Sequence, residues 1–116
     1  MTFDKQSEIK SPSDMSAVLN QLWTKFLPEI YERVATLESA AQASAAGNMT
    51  QEHREAAHSA AHKLAGSLGT FSLPRGTELA REFEQACVSE KSYKAAQSGR
   101  LTAIAAEIRT IIDSRK

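Results

Sequence analysis

The sequence predicts an all-α fold: an antiparallel up-down four-helix bundle with an additional short N-terminal helix. Three observations lead there. Alanine, the residue with the highest helix propensity, is the commonest in the chain, whereas its 116 residues include only five glycines and three prolines. No stretch shows the β-branched alternation of a strand. Apolar side chains instead recur at i, i+4 and i+7 in successive segments joined by short polar links. Packing four such stripes against one another antiparallel is the economical way to bury them. A coiled-coil dimer is the rival, but no heptad run is long enough to sustain one. The length suits a single domain.

Residues 1–13 read as a flexible polar lead-in and 14–116 as the folded domain. Ser11-Pro12-Ser13-Asp14 ends the lead-in with a helix N-cap signal, and Val18, Leu19, Leu22, Trp23, Phe26 and Leu27 follow at helical spacing. Pro28 is expected to start a new helix, because its missing N–H is harmless at the first helical position. Ile30, Val34, Leu37 and Ala41 form the inward stripe of that helix, which Gly47-Asn48 stops. Thr50 is placed to cap the third helix, with Glu52 near its positive end. Ala57, Ala61, Leu64, Leu68 and Phe71 form its core face. A turn at Ser72-Leu73-Pro74 leads to a helix with Leu73, Thr77, Ala80, Phe83 and Cys87 inward. After a polar link near Ser89 to Ser92, Leu101, Ile104, Ile108 and Ile111 line the last helix. Gly99 blurs where that helix starts.

Composition excludes several function classes. Fourteen Lys and Arg balance fourteen Asp and Glu, giving zero net charge and a pI near 6.8. A nucleic-acid binder or a polybasic membrane patch would carry a basic excess. The single cysteine, Cys87, can form no internal disulfide, which with the absence of an apolar leader or spanning run suggests a cytoplasmic protein. No Walker or GxGxxG phosphate cradle is present, so the chain has no ATP site of its own and is not a kinase.

The informative residues lie off the core stripe of the third helix. His58, His62, Gly66 and Gly69 stand at i, i+4, i+8 and i+11 and so share one face. A glycine inside a helix costs about 1 kcal/mol against alanine, and this chain uses alanine freely elsewhere. Two glycines about one turn apart therefore need a reason. The physical reading is a nucleophilic imidazole beside a shelf of bare backbone cleared for a docking partner, with Lys63 adjacent. Two other readings stay open at this level. The glycines could serve tight helix packing with His62 partly buried, or His58 and His62 could chelate a metal, although zinc would need further ligands. By default His53 and His58 both read as plain solvated helix residues.

The run Ala61-His62-Lys63-Leu64-Ala65-Gly66-Ser67-Leu68-Gly69-Thr70-Phe71, continuing through Leu79-Ala80-Arg81-Glu82-Phe83-Glu84, resembles the signature of histidine phosphotransfer (HPt) domains. The resemblance covers residues 50 to 90 most strongly. It implies a helical bundle that shuttles phosphoryl groups between histidine and the aspartate of receiver domains in two-component phosphorelays. His62 would be the phosphoacceptor, and Lys63, Gly66, Ser67, Gly69 and Glu84 its surroundings. Receiver domains of response regulators, or a hybrid histidine kinase, would be the partners. Two departures stand out. Family members often carry a lysine three residues after the histidine, where this chain has Ala65, and a glycine where it has Ser72.

An imidazole, with an ordinary pKa of about 6.5, offers an unprotonated ring nitrogen for attack on phosphorus near neutrality. If the third and fourth helices run antiparallel about a turn near residue 73, the residue level with 62 lies near 84. Glu84 is thus expected to accept the Nδ1–H and leave Nε2 to carry the phosphoryl group. Phosphoryl transfer is mostly positioning and charge neutralisation, so no cofactor is expected on this chain and Mg²⁺ would come with the receiver domain. The chain is expected to act as a monomer. The alternative is a phosphorylation-independent helical interaction module that keeps the bundle and uses this surface only to bind.

Overall fold

The fold, obtained as a computed structural model, is described over residues 12–88 and 95–115, with side chains over 15–88 and 99–115. Every element among the described residues is an α-helix: α1 Pro12–Ala45, α2 Gln51–Thr70, α3 Pro74–Val88 and α4 Ala95–Ser114. Each helix packs on the next and α4 returns to α1, so the four close into an up-down-up-down ring. The α2–α3 pair is the most closely knit.

The expected core stripes are buried. Ile30, Val34 and Leu37 from α1 meet Ala57, Ala61, Leu64 and Leu68 from α2, with Ala80, Phe83 and Cys87 from α3. On that last stripe Leu73 and Thr77 are only partly covered, and Leu79, which the expected spacing left out, is fully buried in their stead. Leu101, Ile104 and Ile108 of α4 close the interior. Ile112 is the fully buried residue of the last turn, and Ile111 is only partly covered. Alanines dominate the α2 contribution, where Ala57, Ala60, Ala61 and Ala65 join Leu64 and Leu68.

One element differs from expectation. The short N-terminal helix is not separate: residues 12–27 form the first half of α1, and Pro28 lies inside it. Proline removes one helical N–H and crowds the preceding turn, a cost of about 3 kcal/mol. The helix continues because apolar contacts flank the proline. Trp23 packs edge-on against Phe71, with ring centroids 5.1 Å apart, and Leu19 and Leu27 lean on the core. The Arg115 guanidinium covers both rings, 4.7 Å from Trp23 and 5.4 Å from Phe71. Met15, Val18, Leu22 and Phe26 stay exposed along the outer side of this arm. The expected lead-in falls on residues outside the described ones, except that Pro12 and Ser13 already belong to α1. The expected link near Ser89 to Ser92 also lies outside them.

The helix ends follow local chemistry. Gly47 adopts φ +75° and closes α1, with the Asn48 N–H donating to Ala43 O at 2.9 Å. The α2 cap is reciprocal: the His53 N–H donates to Thr50 Oγ1 at 3.1 Å, and the Thr50 N–H donates to His53 Nδ1 at 3.1 Å. His53 thus fills the place that Glu or Gln usually holds in a capping box. At the other end of α2 the Leu73 N–H donates to Leu68 O at 2.9 Å, and Ser72 sits at φ 59°. That is the left-handed conformation glycine adopts without penalty, which gives a physical reason for the glycine that the resemblance leads one to expect in place of Ser72.

α4 is tied to its neighbours by forked ion pairs. Arg109 grips Glu38 of α1 at 2.6 and 2.8 Å. Arg100 grips Glu82 of α3 at 2.6 Å through both nitrogens. Arg75 of α3 reaches Glu107 at 2.9 and 3.4 Å. These bidentate geometries fix the register of α4 more than they add stability, because the pairs are largely solvated.

Candidate functional site

The α2–α3 hairpin sets the site geometry. The tight turn through Ser72 and Leu73 aligns the helices so that Thr77 Oγ1 lies 3.4 Å from Ala65 O, and further along Glu84 reaches the α2 histidines. His62 Nδ1 lies 2.9 Å from Glu84 Oε2. A carboxylate only accepts, so the ring nitrogen carries the proton and donates it. That hydrogen bond fixes the tautomer, leaving the Nε2 lone pair free on a side chain that is 71% exposed. Glu84 itself is only 18% exposed, braced at the edge of the core beside buried Phe83.

His58, one turn earlier, turns toward the same oxygen, with Nε2 3.6 Å from Glu84 Oε2. Glu84 therefore addresses both imidazoles, with the shorter contact to His62. Among the described residues no group of three or more His, Cys, Asp or Glu side chains is arranged to hold a metal ion. His53 is engaged in the α2 cap, about two and a half turns of helix from His62.

The glycines differ in what surrounds them. A Cβ added at Gly66 would meet nothing within 4 Å, and one at Gly69 would make an ordinary 3.6 Å contact with Thr77 Oγ1. Helix packing therefore demands neither, and the backbone one turn beyond His62 is open. The glycine that packing does demand is Gly76, where a Cβ would stand 2.9 Å from Leu68 Cδ1 and 3.6 Å from Ile111 Cγ2. Sequence spacing gave no signal for it, because Gly76 belongs to no periodic set.

Two of the residues grouped with His62 in the sequence face elsewhere. Successive helix positions are about 100° apart, which carries Lys63 round to the α1 side, where it lines a groove with Glu29, Glu32 and Arg33. Ser67, one turn on, accepts a hydrogen bond from Arg33 Nη1 at 3.4 Å. Ala65 is buried beneath α3 rather than part of the open surface. The structure thus gathers His62, Gly66, Gly69 and Glu84 on one side and turns Lys63 and Ser67 to the other. A second shallow groove runs from Ser67, Thr70 and Phe71 on α2 to Leu22 and Phe26 on α1.

No helix among the described residues is long and apolar enough to cross a membrane. The Hpt domain family matches residues 21–114. Protein RcaC of Microchaete diplosiphon is 32% identical over 77 residues, which cover 63% of this chain and 12% of RcaC. No solved structure matches the chain. A match spanning nearly the whole bundle places this chain in the Hpt domain family, the histidine phosphotransfer domains of phosphorelays.

Proposed function

We propose that the chain is a phosphocarrier in which His62 exchanges a phosphoryl group with the aspartate of a receiver domain. The observation that carries this reading is the His62–Glu84 hydrogen bond at Nδ1, with the ring exposed beside open backbone at Gly66. The Nε2 lone pair attacks phosphorus of an aspartyl phosphate, an N–P bond forms, the acyl O–P bond breaks, and the aspartate leaves as carboxylate. The Nδ1 proton stays on the ring. Positive charge that develops on the imidazole as Nε2 is phosphorylated faces the Glu84 carboxylate, so the interaction strengthens along the reaction. Mg²⁺ would be bound by the receiver. Reversal returns the group to a second aspartate.

The docking surface on this reading is the Gly66 and Gly69 backbone, continued through Thr70 to Phe26 and Leu22. An interface of the standard size class or smaller suits a transient encounter. Partners are receiver domains of response regulators or of a hybrid kinase, and the site is expected to work in the monomer, in the cytoplasm.

The test incubates the protein with a phosphorylated receiver domain and Mg²⁺. The expected result is an acid-labile, base-stable label that His62→Gln abolishes and that His53→Gln and His58→Gln retain. Glu84→Leu should slow labelling about tenfold, the worth of one hydrogen bond to a charged group. Glu84→Gln, which still offers an acceptor oxygen, should lose less. Label that survives His62→Gln overturns the proposal. Receiver binding with no label from any of several receivers would support the second reading, a binding module, which the buried Ala65 at the family's lysine position favours.

A further inference from the structure

A phosphoryl group on His62 needs a cation, and among the described residues no lysine or arginine contacts the ring. Glu84 is anionic, Ala65 is buried, and Lys63 and Arg33 face the α1–α2 groove. Of the nearby arginines, Arg100 is committed to Glu82 and Arg75 to Glu107. Arg81 remains. It is exposed on α3 and makes no hydrogen bond or ion pair with any other described residue.

Its register is set by contacts on either side of it. Thr77, Arg81 and Glu84 stand at i, i+4 and i+7 and so share one face of α3. Thr77 sits against α2 at Ala65 and Gly69, and Glu84 at His58 and His62. In an antiparallel pair, the position between them falls opposite the stretch from His62 to Gly66. Gly66 has no side chain, and nothing fills the space beside it.

We propose that Arg81 is the phosphoryl-binding cation of this site, reaching across the open backbone at Gly66 to the oxygens of the group on His62. The proposal rests on the phosphocarrier reading and adds a residue to it. A guanidinium suits the role better than an ammonium, because its planar fork can engage two phosphoryl oxygens at once. Supplied from α3, the charge replaces what a lysine three residues after the histidine would supply from α2. The open Gly66 turn is then a passage for the Arg81 side chain as well as clearance for the partner.

The test uses two donors on the full chain. Phosphoramidate phosphorylates histidine with no protein partner, and a phosphorylated receiver requires docking. Arg81→Ala is expected to slow His62 labelling by both donors about tenfold, the worth of a charge-assisted hydrogen bond, with an unchanged circular dichroism spectrum. Arg81→Lys should recover part of the rate, and raised ionic strength should slow the wild type more than Arg81→Ala. Wild-type rates in Arg81→Ala with both donors would overturn the assignment. So would a defect confined to the receiver, which would make Arg81 a docking residue. A wild-type chain that takes no label at His62 from either donor would overturn the phosphocarrier reading and this assignment with it.

Discussion

The two sides of the α2–α3 hairpin each carry a glycine, and the two are there for opposite reasons. Gly76 stands on the closed side, where α2, α3 and α4 converge: an added methyl would press on the buried Leu68 Cδ1 at 2.9 Å and touch Ile111 at an ordinary 3.6 Å. Gly66 stands on the open side with nothing near it. The closed side is a packing solution, reinforced by the forked arginine pairs of α4. The open side forgoes helix stability with no packing return. On the proposed reading, this bare helical turn that the interior does not require, next to an exposed imidazole held by a carboxylate, is the surface kept clear for the receiver domain.

Substitution should separate the two sides. The largest effect is expected on the closed side: Gly76→Val overpacks the junction and should destabilise the fold by about 1–3 kcal/mol, measured by urea unfolding. A neutral result there would remove the contrast. Gly66→Ala should move stability the other way, up by about 0.5–1 kcal/mol from better helix propensity. It should also slow transfer from a receiver, because the added methyl narrows the clearance. Alanine at 66 that stabilises without slowing transfer would break the link between open backbone and docking.

The smallest effect concerns the α4 clamps. The hydrogen bonds from Arg109 hold the Glu38 carboxyl below its ordinary 4.5, and burial opposes them only in part. A carboxyl with a lowered folded pKa contributes stability that is present above the unfolded value and is lost as pH falls through the folded one. Glu38→Gln should therefore cost about 0.5 kcal/mol at neutral pH, a modest figure because the pair is largely solvated. The difference from wild type should fade as the solution is acidified below pH 4.5. A gap that persists in acid would mean that Glu38 acts through packing instead of charge.

Much of this architecture was legible in the sequence, because aliphatic periodicity reports burial directly. The stripes from Ile30 to Ala41, Ala57 to Phe71 and Leu101 to Ile108 all face the interior. The pairing of His62 with Glu84 followed from a hairpin turn near residue 73 and a constant helical rise. What was hidden depended on three-dimensional neighbours. Pro28 is a breaker by local rules, yet tertiary contacts of Trp23, Leu19 and Leu27 carry the helix through it. Lys63 adjoins His62 in sequence but not on the helix surface, and the cap made by His53 shows only when its ring meets the Thr50 amide. Gly76 has no periodic partner that could have flagged it.

The uninterrupted α1 has a consequence for how the molecule can diverge. Its 34 residues rise about 51 Å. The half after Pro28 supplies the buried Ile30, Val34 and Leu37, whereas the half before it holds on through Trp23 and presents Met15, Val18, Leu22 and Phe26 outward. Replacing those four side chains alters the adhesive character of one end of the rod while the interior stays untouched. On the proposed docking surface, choice of associate and ability to fold are thereby written on separate lengths of a single helix.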